Sequence, residues 1–120
     1  MTNLIERFKG LFKPKPRLTI EQLALVISSD VRQSVIKQLG LIPKHIVGID
    51  FEQIKREVSI ELDRQVSRRS LTWHLEKLND GGVIEEIPTP EHTTWNLTSS
   101  GRKGSRLLGK IERAVEAKDR

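Results

Sequence analysis

Arg68 and Arg69 stand side by side, directly after Ser67 and just ahead of a leucine series at Leu71, Leu75 and Leu78. The leucines fall at i, i+4 and i+7, the spacing of a single helix face. With that face inward, the same helix turns Arg68, Arg69 and Thr72 outward, with Trp73 and Glu76 at the border of that face, and Arg68 and Arg69 lie in its first turn. Arginine at the start of a helix has two uses on a nucleic acid: its planar fork pairs bidentately with guanine, or it holds a phosphate. Ser67 is placed to cap the helix, and the amides of the turn it caps can receive a phosphate. The same residues also suit an ordinary solvated helix face.

Other chemistry finds little support. The 120 residues include no cysteine, which excludes a disulfide scaffold, a Cys-ligated zinc site and thiol catalysis. The three histidines, His45, His74 and His92, are scattered, with no acid or second histidine at ligand spacing. No phosphate-cradling loop, zinc-protease motif or dinucleotide turn is present, and nothing orients Ser, His and Asp into a triad. No catalytic residue, metal ligand, cofactor or small-molecule effector is therefore expected. No apolar run approaches the roughly 20 residues of a membrane span. Glu6, Arg7 and Lys9 interrupt any secretory leader, so a cytoplasmic protein is expected.

The net charge of +5 is unevenly spread. Residues 1–20 and 99–120 each carry +4, residues 21–80 balance, and residues 81–98 hold Glu85, Glu86 and Glu91 with no Lys or Arg. A basic balance raises the expectation of a nucleic-acid partner, and the acidic stretch works against it.

Leu4, Ile5, Phe8, Leu11 and Phe12 predict a short amphipathic helix, which Lys13-Pro14-Lys15-Pro16 stops. Residues 1–17 thus read as a helix with a basic linker. Thr19 is a candidate cap for a second helix carrying Leu23, Leu25, Val26 and Ile27, and Ser29 or Asp30 for a third carrying Val31, Val35, Ile36 and Leu39, with Gly40 at its end. Residues 41–49 fit a loop leading into a short strand. Asp50 caps a helix bearing Phe51, Ile54 and Val58, and Asn79-Asp80-Gly81-Gly82 stops the leucine helix. Val83 to Ile87 and Thr93 to Thr98 read as a hairpin around Pro88-Thr89-Pro90-Glu91-His92. Thr98 or Ser99 caps a final helix with Leu107, Leu108, Ile111, Ala114 and Val115. The fold class is mainly α with a small β-hairpin (α+β).

Three segments resemble a known family. Val66 to Leu78, with Arg68-Arg69-Ser70-Leu71 and His74-Leu75, is similar to the recognition helix of ArsR-type and related archaeal winged helix-turn-helix regulators. Gly82-Val83-Ile84 resembles their approach to the wing, and Trp95-Asn96-Leu97-Thr98-Ser99-Ser100-Gly101-Arg102 their exit from it. The likeness is close over 54–102 and loose over 19–40. It implies a winged helix-turn-helix over 18–98, flanked by an N-terminal helix and by a C-terminal dimerisation helix over 99–120. It also implies a packed, hydrogen-bonded His74 and a core Trp95. The family's metal-sensing ligands have no counterpart, the stretch from Leu62 to Ser67 is longer than the usual turn, and the hairpin is acidic where family wings often hold a base.

The expected function is a sequence-specific regulator of transcription on double-stranded DNA, a homodimeric repressor that occludes a promoter on a palindromic site. Its DNA contacts would be Ser67, Arg68, Arg69, Ser70, Thr72 and Trp73; Trp73 fits either the core edge or the DNA face. Arg68 and Arg69 sit about 100° apart around the helix. Arg69 with Thr72 faces away from the leucines and would read bases, while Arg68 leans toward the buried side and would hold a phosphate. The dimer seam would be Leu107, Leu108, Ile111, Ala114 and Val115, extended backward by Gly104; alternatively that stripe folds onto Leu4, Phe8 and Leu11 of its own chain. A second class of function is a winged-helix module for protein–protein contact in transcription or replication machinery. A membrane-surface anchor in residues 1–17 ranks last.

Overall fold

The computed structural model describes residues 18–118. The helix and linker expected over 1–17, with Leu4, Phe8 and Leu11, lie outside the described residues. The described chain runs α1 (Ile20–Ile27), α2 (Asp30–Gly40), β1 (Ile49–Asp50), α3 (Phe51–Leu62), α4 (Arg68–Asp80), β2 (Ile84–Pro88), β3 (Thr93–Leu97) and α5 (Ser99–Lys118). It is an α+β fold: five helices with one small antiparallel sheet.

Helix starts fall where short polar side chains satisfy otherwise unpaired amides. Thr19 caps α1 in a reciprocal box with Gln22, Ser29 accepts from Arg32 N–H, Asp50 from Gln53 N–H, and Ser67 from Ser70 N–H. Between α3 and α4 the chain reverses through Asp63, which sits in the left-handed region at φ 51°. That conformation frees its N–H to reach the last carbonyls of α3. Val66 then plugs the core, its N–H donating to Ser59 Oγ at 3.2 Å, and Arg64 forks onto Asp30 at 2.7 and 2.9 Å. The extra length of this connection thus forms a capped, anchored turn.

The sheet is ordered β1-β3-β2. The expected strand after residue 41 is only Ile49–Asp50, because Ile46 and Val47 are exposed and the pairing begins at Ile49↔Trp95. That pairing makes the expected hairpin three-stranded. Buried Asn96 fixes the approach, donating through Nδ2 to Val47 O at 2.7 Å and accepting the N–H of Leu97. The core joins Val35, Ile36 and Leu39 of α2, Ile54 and Val58 of α3, Leu71, Leu75 and Leu78 of α4, and Val83, Ile84 and Leu97 beside the sheet. Leu71 and Leu78 are fully buried, each contributing about 1.5–3 kcal/mol by leaving water.

The first half of α5 belongs to this body. Thr98 accepts the N–H of Gly101 on its hydroxyl, which also donates to Gly82 O at 2.6 Å. Gly101 is buried so close to the strand that a Cβ there would lie 2.0 Å from Val83 O. The start of α5 is therefore packed against the sheet, continuous with the body that precedes position 98.

The close approach gives a paired test. Gly101→Ala should cost about 1–3 kcal/mol, because the obstacle is backbone and cannot swing aside. Gly109→Ala, with nothing within 4 Å of its added Cβ, should stabilise by about 0.5–1 kcal/mol through helix propensity. Urea unfolding midpoints check both; a neutral Gly101→Ala would contradict the close packing.

Candidate nucleic-acid interface

Six residues singled out by the sequence, Ser67, Arg68, Arg69, Ser70, Thr72 and Trp73, line one shallow depression on α4 together with Glu76. The leucine stripe brings them together by rotating its own face into the core. Ser67, Arg69 and Thr72 are exposed and Ser70 is half-buried. Trp73 is 50% exposed and stands on the open side of the helix.

Trp73 is held between two cations. The Arg32 guanidinium lies 5.7 Å from its ring centroid and Lys77 Nζ lies 5.5 Å away. The His74 ring meets it edge-on at 4.9 Å. Such contacts are worth roughly 0.5–1 kcal/mol at exposed positions, enough to favour one orientation of a large exposed ring.

Arg32 was not among the sequence candidates, and it organises this corner. It is buried, and its Nε donates to Leu25 O at 2.6 Å, its Nη2 to Ser28 Oγ at 2.6 Å, and its Nη1 to His74 Nδ1 at 3.3 Å. A guanidinium has no lone pair to accept with, so His74 must present an unprotonated Nδ1 and keep its proton on Nε2. The expectation of a packed, hydrogen-bonded His74 agrees with this geometry. Nothing in the local sequence around Arg32 marks it as buried.

Arg68 has a partner of its own. It leans toward the neighbouring helix, as its place three residues before Leu71 requires, but it pairs there with Glu52. Its guanidinium also covers the Phe51 ring at 4.8 Å. The cation meant for a phosphate is held within the chain, while Arg69 has no such intramolecular partner among the described residues.

The expected α5 seam divides. Leu108 packs against the core, Leu107 is half-buried, and Gly104 is buried against Leu18. These face the body of the same chain because the start of α5 lies on α2 and β3. Ile111 and Val115 are 46% and 55% exposed, and Ala114 is exposed, so only the distal half presents an open stripe.

Among the described residues, no group of three or more His, Asp or Glu side chains is placed to hold a metal ion. No described helix is long and apolar enough to cross a membrane. Compared with known protein families, curated proteins and solved structures, the chain matches none.

The Arg32–His74 contact has a pH consequence. Burial, and then the Arg32 charge, hold the His74 pKa below its ordinary value of 6.5, with Asp30 opposing weakly. A depressed histidine pKa means that the unfolded chain takes up the proton first. The stabilisation is therefore complete above about 6.5 and is lost as pH falls through the folded value. Tm should decline over that interval, and His74→Gln, which keeps an acceptor for Arg32 but cannot titrate, should flatten the decline. An unchanged slope in the variant would place the titration elsewhere.

Proposed function

We propose that this protein is a winged helix-turn-helix that binds double-stranded DNA through α4, acting by binding rather than catalysis as a transcriptional regulator. The supporting topology is the sequence of helices α2, α3 and α4 followed by an antiparallel hairpin, with β1 completing a three-stranded sheet. The observation that carries the reading is the exposed face of α4. Arg69, Thr72 and Trp73 project from a helix whose opposite face is anchored by three buried leucines, with the Ser67-capped N-terminus at the same end. An α-helix presented in this way fits the major groove, where first-turn side chains meet base edges. Arg69 is the base-reading residue in this proposal, and Trp73 supplies apolar contact.

Oligomerisation follows from the distal α5. Ile111, Ala114 and Val115 form an apolar stripe standing off the compact body, and pairing it with a second copy gives a two-fold dimer suited to two half-sites. The second reading, a protein-interaction module, is favoured by one feature: the hairpin exposes Glu85, Glu86 and Glu91 and carries no base to neutralise a phosphate.

Duplex binding is tested by fluorescence anisotropy with DNA selected from a random pool. Affinity should fall steeply between low and physiological salt. Arg69→Ala should cost about 1–3 kcal/mol on the selected site and relax discrimination at one or two positions. Glu52→Gln should tighten binding to all sequences and steepen the salt slope by about one unit, because it releases Arg68 for a phosphate. An absence of duplex binding at low salt would favour the protein-interaction reading.

The dimer has a separate test. Ile111→Glu with Val115→Glu places charges in the distal stripe but spares Leu108 and the core. Sedimentation velocity at tens of micromolar, on the order of usual assay concentrations, should show a dimer that becomes a folded monomer in the double variant. A monomeric wild type under those conditions would refute the seam.

A further inference from the structure

We propose that the cleft between α4 and the β2–β3 hairpin binds an organic cation, an alkylammonium or guanidinium group on a short apolar stem. The cleft measures about 280 Å³ and is lined by Phe51, Thr72, Glu76, Asn79, Glu86 and Trp95, beside buried Leu75. Three distant stretches of sequence meet there. Thr72, Glu76 and Asn79 follow one another at i, i+4 and i+7 along α4, while Glu86 and Trp95 are cross-strand partners in the hairpin. Phe51, the first residue of α3, meets Trp95 edge-on, with ring centroids 6.4 Å apart at 61°.

The lining selects charge sign. Aromatic faces carry the negative part of the ring quadrupole and attract cations. Glu76 and Glu86 add two carboxylates, neither of which makes an ion pair among the described residues, and Thr72 and Asn79 bring further oxygen acceptors. No Lys or Arg lines the cleft. An anion would meet two negative charges, and a neutral apolar group would strip water from carboxylates without replacing it. Phe51 already takes one cation on its ring, the chain's own Arg68 guanidinium, which is also paired with Glu52. The volume lies below the roughly 300–1,000 Å³ of pockets for drug-sized ligands, so the occupant is the size of a side chain. Glu86, one of the hairpin acids that duplex binding leaves unexplained, acquires a use here.

The proposal does not depend on the nucleic-acid reading, and its test contains no DNA. Trp73→Phe leaves Trp95 as the sole tryptophan, so its emission reports on the cleft. This protein is titrated with choline, with 3,3-dimethylbutanol as the neutral molecule of similar shape, and with the peptide Gly-Arg-Gly. A saturable change with choline or the peptide, and none with the alcohol, is the expected result. Glu76→Gln and Glu86→Gln, both at exposed positions, should each weaken cation binding by about fivefold, as the loss of one favourable charge contact would. Tighter binding of the peptide assigns the cation to a protein partner, and tighter binding of choline assigns it to a free ammonium compound; either supports a cation site. Equal responses to choline and the alcohol, unchanged affinity in both Gln variants, or no response to either cation up to about 10 mM would overturn it.

Discussion

The buried guanidinium of Arg32 is the joint on which the arrangement of α1, α2 and α4 depends. A charge taken out of water is costly unless hydrogen bonds replace its hydration. Here the replacements come from two other elements: Leu25 O and Ser28 Oγ at the end of α1, and His74 Nδ1 on α4. The end of α1 is a favourable place for a cation, because the last carbonyls of a helix are unpaired and carry its negative pole. Gln33 reinforces the joint by donating to Ile27 O at 2.9 Å, and Gln22 ties the start of α1 to Gly81 O beyond the end of α4. Because the same guanidinium lies over Trp73, fixing α1 against α2 also fixes the most prominent ring on the exposed face of α4.

What the sequence made legible follows short-range rules. The leucine spacing identified the buried face of α4 and therefore the residues opposite it. The caps at Thr19, Ser29, Asp50 and Ser67 were readable because an N-cap acts within three residues. The hairpin was readable from turn chemistry at both ends. Where longer-range packing decided, the reading failed or was silent. Arg32 carries no local mark of burial, since no short-range pattern shows that α1 and α4 close over it. Arg68 looked free because its partner, Glu52, lies sixteen positions away on another helix. The α5 stripe looked continuous because periodicity cannot tell which turns rest on α2. Leu108 is held there, beside a Lys37 whose ammonium bridges Glu61 and Glu112, while Ile111 lies beyond the body.

These long-range contacts also change the electrostatics of the α4 face. Counting residues gives that helix two adjacent arginines at its start. In the folded chain one of them is paired with Glu52, and Glu76 stands one turn beyond Thr72. The exposed face of α4 therefore presents a single unpaired arginine and a tryptophan with two cations near it, bordered by carboxylates, rather than a broad basic patch. Such a face adds little non-specific attraction of its own; in the duplex reading that attraction comes from the basic residues outside α4, and the few residues of the face supply hydrogen bonds and shape.

Thr72 and Glu76 line both the depression around Trp73 and the cleft against the hairpin. Two ligands that share wall residues are energetically coupled, and the coupling is reciprocal. Its sign follows from charge. A cation in the cleft offsets Glu76 and Glu86, lowering the repulsion that those carboxylates exert on a polyanion at α4. A duplex on α4 would in turn favour the cation by the same factor. A competing outcome is steric: an occupant whose stem projects past Thr72 would block the groove-facing surface and reverse the sign. The length of the group carrying the cation, rather than its charge, therefore decides between support and competition at the shared wall.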